Sequence, residues 1–127
     1  MAENYIGVDV AKDWIDVFDP ETGIGQRFRT CDLTTFAEGQ SDKLVVLEAS
    51  GGYERPLIAA LEAAGARYVR VNPRHAREFA RATGKLAKTD RTDARTLAAM
   101  GEALKLKADE PACPARTRLA ALNARRD

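Results

Sequence analysis

A chain of 127 residues, 45% hydrophobic and 31% charged, suits one globular domain and excludes a disordered tail. No apolar run approaches the roughly 20 residues of a membrane helix, and Met1-Ala2-Glu3-Asn4-Tyr5 lacks a signal peptide's basic-then-apolar pattern, so no membrane is expected and the cytoplasm is the default. The net charge of +1 conceals a division: residues 1–66 hold 5 Lys/Arg and 12 Asp/Glu (net −7), and residues 67–127 hold 15 and 7 (net +8), so the second half either faces an anionic partner or attracts the first half.

Tyr5-Ile6-Gly7-Val8-Asp9-Val10 reads as a buried strand. A turn at Ala11-Lys12-Asp13 leads to a second strand over Trp14-Ile15-Asp16-Val17-Phe18, with Trp14 expected in the core. Pro20-Glu21-Thr22-Gly23 is turn chemistry, and Gly25 to Thr30 alternates weakly as a third strand. A short helix is expected within 32–40. Lys43-Leu44-Val45-Val46-Leu47-Glu48 is the clearest strand; its unbroken apolar run suits a strand covered on both faces, as in a parallel sheet. Gly51-Gly52 break it, and a helix follows from about Glu54 to Ala64, ended by Gly65. Tyr68-Val69-Arg70-Val71 is a fifth strand. Pro73 opens a helix running to about Thr83, and a last long helix runs from about Asp90 to Leu106. Pro111 and Pro114 bracket a linker, after which residues 115–126 look helical and stop without a cap at Asp127. Cys31 and Cys113 match no zinc or redox spacing. Three antiparallel strands followed by βαβ units imply a mixed sheet flanked by helices.

Four carboxylates stand out. Asp9 sits inside an apolar strand, where an acid is costly without a partner. Glu48 ends the fourth strand, which can lie beside the first. Asp90 and Asp93 are three residues apart, on one stripe with Leu97, Gly101 and Leu104, so both are expected to face the sheet. Four converging carboxylates repel one another unless a hard cation joins them, and Mg²⁺ or Mn²⁺ suits oxygen ligands. Two such ions, about 3.5–4 Å apart, support phosphodiester chemistry. Each acid also has a plainer reading. Asp9 could serve the adjacent hairpin, Glu48 could hold the Ser50-Gly51-Gly52 loop, and Asp90 with Asp93 could form a capping box.

The basic residues point to nucleic acid. Arg74, Arg77, Arg81, Lys85 and Lys88 recur at helical spacing and share a face if the helix persists past Gly84. Such a ridge could track a phosphate backbone and deliver it to Thr89-Asp90; a solvated helix face is the plainer alternative. Lys12, just past Asp9, could touch a phosphate or be an ordinary hairpin lysine. Ser50-Gly51-Gly52-Tyr53 before a helix could cradle a phosphate or simply turn. His75 alone makes no catalytic dyad or zinc site.

At three places the chain resembles a known family. Tyr5-Ile6-Gly7-Val8-Asp9-Val10-Ala11-Lys12, Glu48-Ala49-Ser50-Gly51-Gly52-Tyr53 and Lys88-Thr89-Asp90-Arg91-Thr92-Asp93-Ala94 look like the N-terminal domain of insertion-sequence transposases with a DEDD tetrad. That group includes the Piv-type invertases and recombinases guided by a bridge RNA. The first motif is unspecific alone; the third, in this order and at this distance, is specific. The resemblance implies an α/β, RNase H/RuvC-like mixed five-stranded sheet, three strands antiparallel and two parallel, flanked by helices. It implies Asp9, Glu48, Asp90 and Asp93 as the tetrad binding two Mg²⁺ ions, and DNA strand cleavage and transfer. Lys12, Arg74, Arg77, Arg81, Lys85, Lys88 and Arg91 are the expected nucleic-acid contacts. DNA, a guide RNA and a homo-oligomeric full-length protein are the implied partners. Residues 1–108 would be the catalytic domain and 109–127 a linker leading into a helical region. It also implies a C-terminal domain carrying an attacking serine, which is expected to lie beyond Asp127; residues 1–127 would then bind metal and nucleic acid without full strand exchange. Two alternatives stay open: a Holliday-junction-resolvase-like nuclease, and half of an actin-like or sugar-kinase-like ATPase, whose first phosphate loop Ile6-Gly7-Val8-Asp9-Val10 also resembles. A non-catalytic nucleic-acid-binding module is a third.

Overall fold

The structure is a computed structural model that describes residues 4–49, 52–84 and 93–109. Five strands form one sheet: β1 (Tyr5–Val10), β2 (Trp14–Asp19), β3 (Ile24–Arg29), β4 (Leu44–Glu48) and β5 (Arg67–Val71). Their order is β3-β2-β1-β4-β5. β1, β2 and β3 pair antiparallel, while β4 runs parallel to β1 and β5 parallel to β4. This is the mixed five-stranded sheet expected from the sequence, three strands antiparallel and two parallel.

Side-chain alternation sorts the sheet residues into two layers. Ile6, Val8, Val10, Ile15, Val17, Val45 and Leu47 face one side. There they pack with α1 (Leu33–Glu38), through Phe36, and α2 (Arg55–Ala64), through Leu57 and Leu61. Tyr5, Leu44, Val46, Val69 and Val71 face the other side, under α3 (Pro73–Ala82) and α4 (Ala94–Leu104). Leu57, Leu61 and Leu97 are fully buried, and each contributes about 1.5–3 kcal/mol by leaving water.

The helix ends follow their local chemistry. Asn72 caps α3 by accepting from Arg74 N–H at 2.8 Å, with Pro73 in the first turn. Gly65 closes α2 in the left-handed conformation, φ 74°. Gly84 is also left-handed, φ 74°, and α3 ends at Ala82. The helix that carries the first part of the basic ridge therefore stops before Gly84.

α4 approaches β1 unusually closely. A Cβ on Gly7 would lie 1.8 Å from the Ala94 carbonyl oxygen, and one on Gly101 would lie 2.7 Å from Tyr5 Cδ1. Only glycine permits this fit at Gly7, because the obstacle there is backbone. Beyond α4, the Tyr5 hydroxyl donates to the Leu106 carbonyl at 3.1 Å, and Asp109 N–H donates to the Tyr68 carbonyl at 2.7 Å. The chain after α4 thus runs back along β5. Beside it, the Tyr68 phenol donates to Glu62 at 2.6 Å; burial, then this bond, push its pKa up to about 12.

Two local expectations change. Trp14 is 38% exposed. Ile15 and Val17 take the covered face, so alternation sends Trp14 to the other face, where Arg27 lies over its ring at 4.3 Å. The last helix begins at Ala94 and ends at Leu104, which is 53% exposed, so Leu104 is not part of the sheet-facing stripe. No helix among the described residues is long and apolar enough to cross a membrane.

Candidate active site

The chain reverses its direction of travel across the sheet between β1 and β4. From β1 it proceeds outward to β2 and β3; from β4 it proceeds the other way, to β5. In open α/β sheets, ligands bind in the crevice beyond the carboxyl ends of strands at such a switch point. Asp9 and Glu48 both lie there. Val8 pairs with Leu47 in the parallel ladder, so Asp9 and Glu48 come one step later on neighbouring strands. Both are half-buried, and Glu48 Oε1 is fully so.

Alternation sets which way they face. Tyr5 and Gly7 on β1, and Leu44 and Val46 on β4, meet α4. Asp9 and Glu48 follow in the same phase, so their side chains belong to the α4 layer. The start of α4 arrives at this spot because Gly7 admits Ala94 against the strand. Asp93 is the N-cap of α4 and accepts from Thr96 N–H at 2.9 Å. It is exposed, and it does not lie on a helix face turned to the sheet, as expected from spacing. The cap breaks the helical phase on which that expectation rested. Asp93 still reaches the site: it lines a cavity of about 360 Å³ together with Asp9, Asp16, Phe18, Arg27 and Arg95.

Asp9, Glu48 and Asp93 thus come from three elements to one face and one end of the sheet. All offer oxygen donors, the chemistry a hard divalent cation prefers. Among the described residues, no three His, Cys, Asp or Glu side chains are grouped closely enough to hold a metal ion. Asp90, the fourth member expected, lies outside the described residues, as do Lys85, Lys88 and Arg91.

The register adds an acid that sequence reasoning passed over. Asp16 on β2 pairs with Asp9, and Arg27 on β3 pairs with Asp16, giving a charged row across the sheet. Arg27 donates twice to Asp16, at 2.8 and 3.2 Å, and this bond raises the Arg27 pKa. The signal was Asp16 itself, a polar position between Ile15 and Val17, but its neighbours became visible only with the strand register.

The loop after β4 is held from below. Glu54, 5% exposed, accepts from Gly52 N–H at 3.0 Å and pairs with Arg70 at 3.4 Å. Gly52 takes φ 110°, which favours glycine. Tyr53 is 54% exposed, and Ser50 and Gly51 lie outside the described residues, so a phosphate cradle there is not built from what is described.

Of the expected nucleic-acid contacts, Arg74, Arg77 and Arg81 line a concavity of about 520 Å³ on α3, where Arg77 and Arg81 are exposed. Lys12 is exposed in the β1–β2 hairpin, where its carbonyl accepts from the Thr30 hydroxyl at 3.2 Å. His75 is exposed on α3.

No curated protein matches the chain. Among solved structures, Thermus thermophilus RuvC is similar at 11% identity, over 84% of each chain, with a TM-score of 0.48. T. thermophilus RuvC in complex with a Holliday junction substrate is similar at 10% identity, over 86% of this chain and 83% of that one, also with a TM-score of 0.48. Residues 25–127 match a transposase family, the DEDD transposases of the IS110 type; the match includes Glu48 and Asp93 and begins after Asp9. Extending over most of the sequence, that match makes the chain a member of the IS110-type DEDD transposase family.

Proposed function

We propose that Asp9, Glu48, Asp90 and Asp93 jointly bind Mg²⁺ or Mn²⁺, two ions in the working site, and that this site cleaves and transfers DNA strands. One observation carries the reading: Asp9, Glu48 and Asp93 come from β1, β4 and the start of α4 to the same end of one sheet face. Four ligands of like charge, drawn from separate parts of the chain, are costly to assemble without a cation. When bound, the metal supplies positive charge against the phosphate oxygens on which charge builds. The protein's own residues orient and exclude. Val8 and Val10, buried on either side of Asp9, hold its strand rigidly. The Gly7–Ala94 contact sets how far Asp93 stands from β1. In this reading the catalytic unit spans residues 1–108.

Calorimetry with Mn²⁺ tests the site. Wild type should bind, and Asp9→Asn and Glu48→Gln should each lose at least about tenfold in affinity, because each replaces a charged oxygen donor by a neutral amide. Equal affinity in all three would remove the metal site.

DNA is the partner this reading requires, and Arg74, Arg77 and Arg81 around their shared concavity suit its backbone. The same face would serve a guide RNA. Self-association of the full-length protein and a cytoplasmic location complete the proposal. Replacing Arg77 and Arg81 together by alanine should weaken binding to any DNA sequence at low salt and flatten the salt dependence by up to about two charges. An anisotropy titration across salt concentrations checks this; superimposable curves would take α3 out of the interface.

A further inference from the structure

Two guanidinium groups border the carboxylate pocket without being among its proposed metal ligands. Arg95 is exposed in the first turn of α4, two residues after Asp93, and its Cζ lies 4.5 Å over the Phe18 ring. Arg27, from β3, lies 4.3 Å over the Trp14 ring. Both arginines line the same 360 Å³ cavity as Asp9 and Asp93. Trp14 and Phe18 occupy the same face of β2, with Asp16 midway between them. At about 3.3 Å per residue the two ring positions stand about 13 Å apart along β2.

Two features distinguish these arginines from ordinary surface charge. Each guanidinium lies against a ring, which restrains it before any ligand arrives; Arg27 gives two of its five donors to Asp16 and keeps the others for a phosphate. And each stands beside acids, where a polyanion would otherwise be repelled. Asp16 is already paired with Arg27 through two hydrogen bonds. Arg95 faces the cavity that Asp9 and Asp93 share. A phosphodiester entering that cavity meets carboxylates on one side and a guanidinium, whose flat fork of donors matches two phosphate oxygens, on the other.

We infer that the Arg95–Phe18 and Arg27–Trp14 stacks form a phosphate-gripping track that leads one nucleic-acid strand across β2 into the carboxylate pocket, with Arg95 contacting the phosphate nearest the proposed metal ligands. The inference rests on the proposed function in taking that pocket as the reacting site. It assigns to β2, β3 and the first turn of α4 a substrate-positioning role, separate from the basic face of α3.

The test compares wild type, Arg95→Gln and Arg95→Lys by anisotropy with a fluorescein-labelled 20-nucleotide single strand over a range of salt concentrations. Thermal melting and Mn²⁺ calorimetry are run on the same samples. Arg95→Gln should weaken DNA binding about five- to tenfold at low salt and reduce the salt slope by about one, while Arg95→Lys restores the slope but not the full affinity. An Arg95→Gln curve with unchanged affinity and slope overturns the track. So does a loss of DNA binding that merely follows a fall in melting temperature, since Arg95 would then be a structural partner of Phe18. Arg27→Gln with Trp14→Leu gives a second arm: unchanged DNA binding there confines the contact to Arg95 and refutes the two-stack path. Absence of Mn²⁺ binding in wild type would refute the metal reading, while the DNA curves would still decide the track.

Discussion

Gly7→Val should abolish the native fold, and Gly7→Ala should lower the melting temperature by roughly 10–20 °C. At Gly7 an added Cβ meets the Ala94 carbonyl oxygen at 1.8 Å, the Ala98 nitrogen at 2.7 Å and the Ala94 carbonyl carbon at 2.8 Å. All three are helix backbone, so no rotamer change relieves the clash and α4 must move as a body. Overpacking usually costs about 1–3 kcal/mol and rises when the obstacle cannot yield. A domain of this size holds only about 5–15 kcal/mol in total, and 1 kcal/mol shifts its melting point by about 4 °C, between the values for smaller and larger domains. Gly25→Ala is the control, since its Cβ would find only the Val17 carbonyl at 3.6 Å. Circular dichroism melts of both variants check the prediction; a Gly7→Ala protein melting within a few degrees of wild type would mean that α4 does not sit this tightly on β1. Any Gly7→Ala protein that does fold should also bind Mn²⁺ more weakly, because displaced Ala94 takes Asp93 with it.

Asp93 should separate its two roles on substitution. As N-cap it accepts from Thr96 N–H at 2.9 Å, and asparagine caps about as well as aspartate, whereas alanine costs about 1 kcal/mol. As a metal ligand it needs its charge. Asp93→Asn should therefore melt within a degree or two of wild type yet lose at least about tenfold in Mn²⁺ affinity and, with it, the DNA strand cleavage that the proposed site carries out. Asp93→Ala should lose both stability and metal binding. Melting and calorimetry on the pair decide it: an Asp93→Asn protein with full Mn²⁺ affinity would leave Asp93 as a helix cap alone.

Much of the architecture was legible in the residues. The apolar runs of β1 and β4, the turn chemistry at Pro20–Gly23, the Pro73 start of α3 and the Gly65 stop of α2 all mark elements the structure contains. These signals are local: a strand's alternation or a cap's donor depends on residues a few positions away. A mixed sheet allowed β1 and β4 to lie side by side, and the structure pairs them in parallel. The start of α4 was placed several residues early, because spacing alone treats Asp93 as a helical position, while its side chain in fact terminates the helix. Trp14 was expected inside, yet phase along β2 puts it on the face opposite Ile15 and Val17, where it is 38% exposed.

From its sequence alone this protein set its five strands, its mixed sheet, the helices among the described residues and the four acids, Asp9, Glu48, Asp90 and Asp93, whose family motifs imply one site. Those depend on periodicity and on the chemistry of each residue with its near neighbours. The register that lines up Asp9, Asp16 and Arg27, the depth to which α4 sinks onto Gly7, and the arrival of Arg95 over Phe18 were decided only in three dimensions. Each joins residues far apart in the chain, and such distances are set by how backbones and side-chain volumes fit together, which no short stretch of sequence encodes.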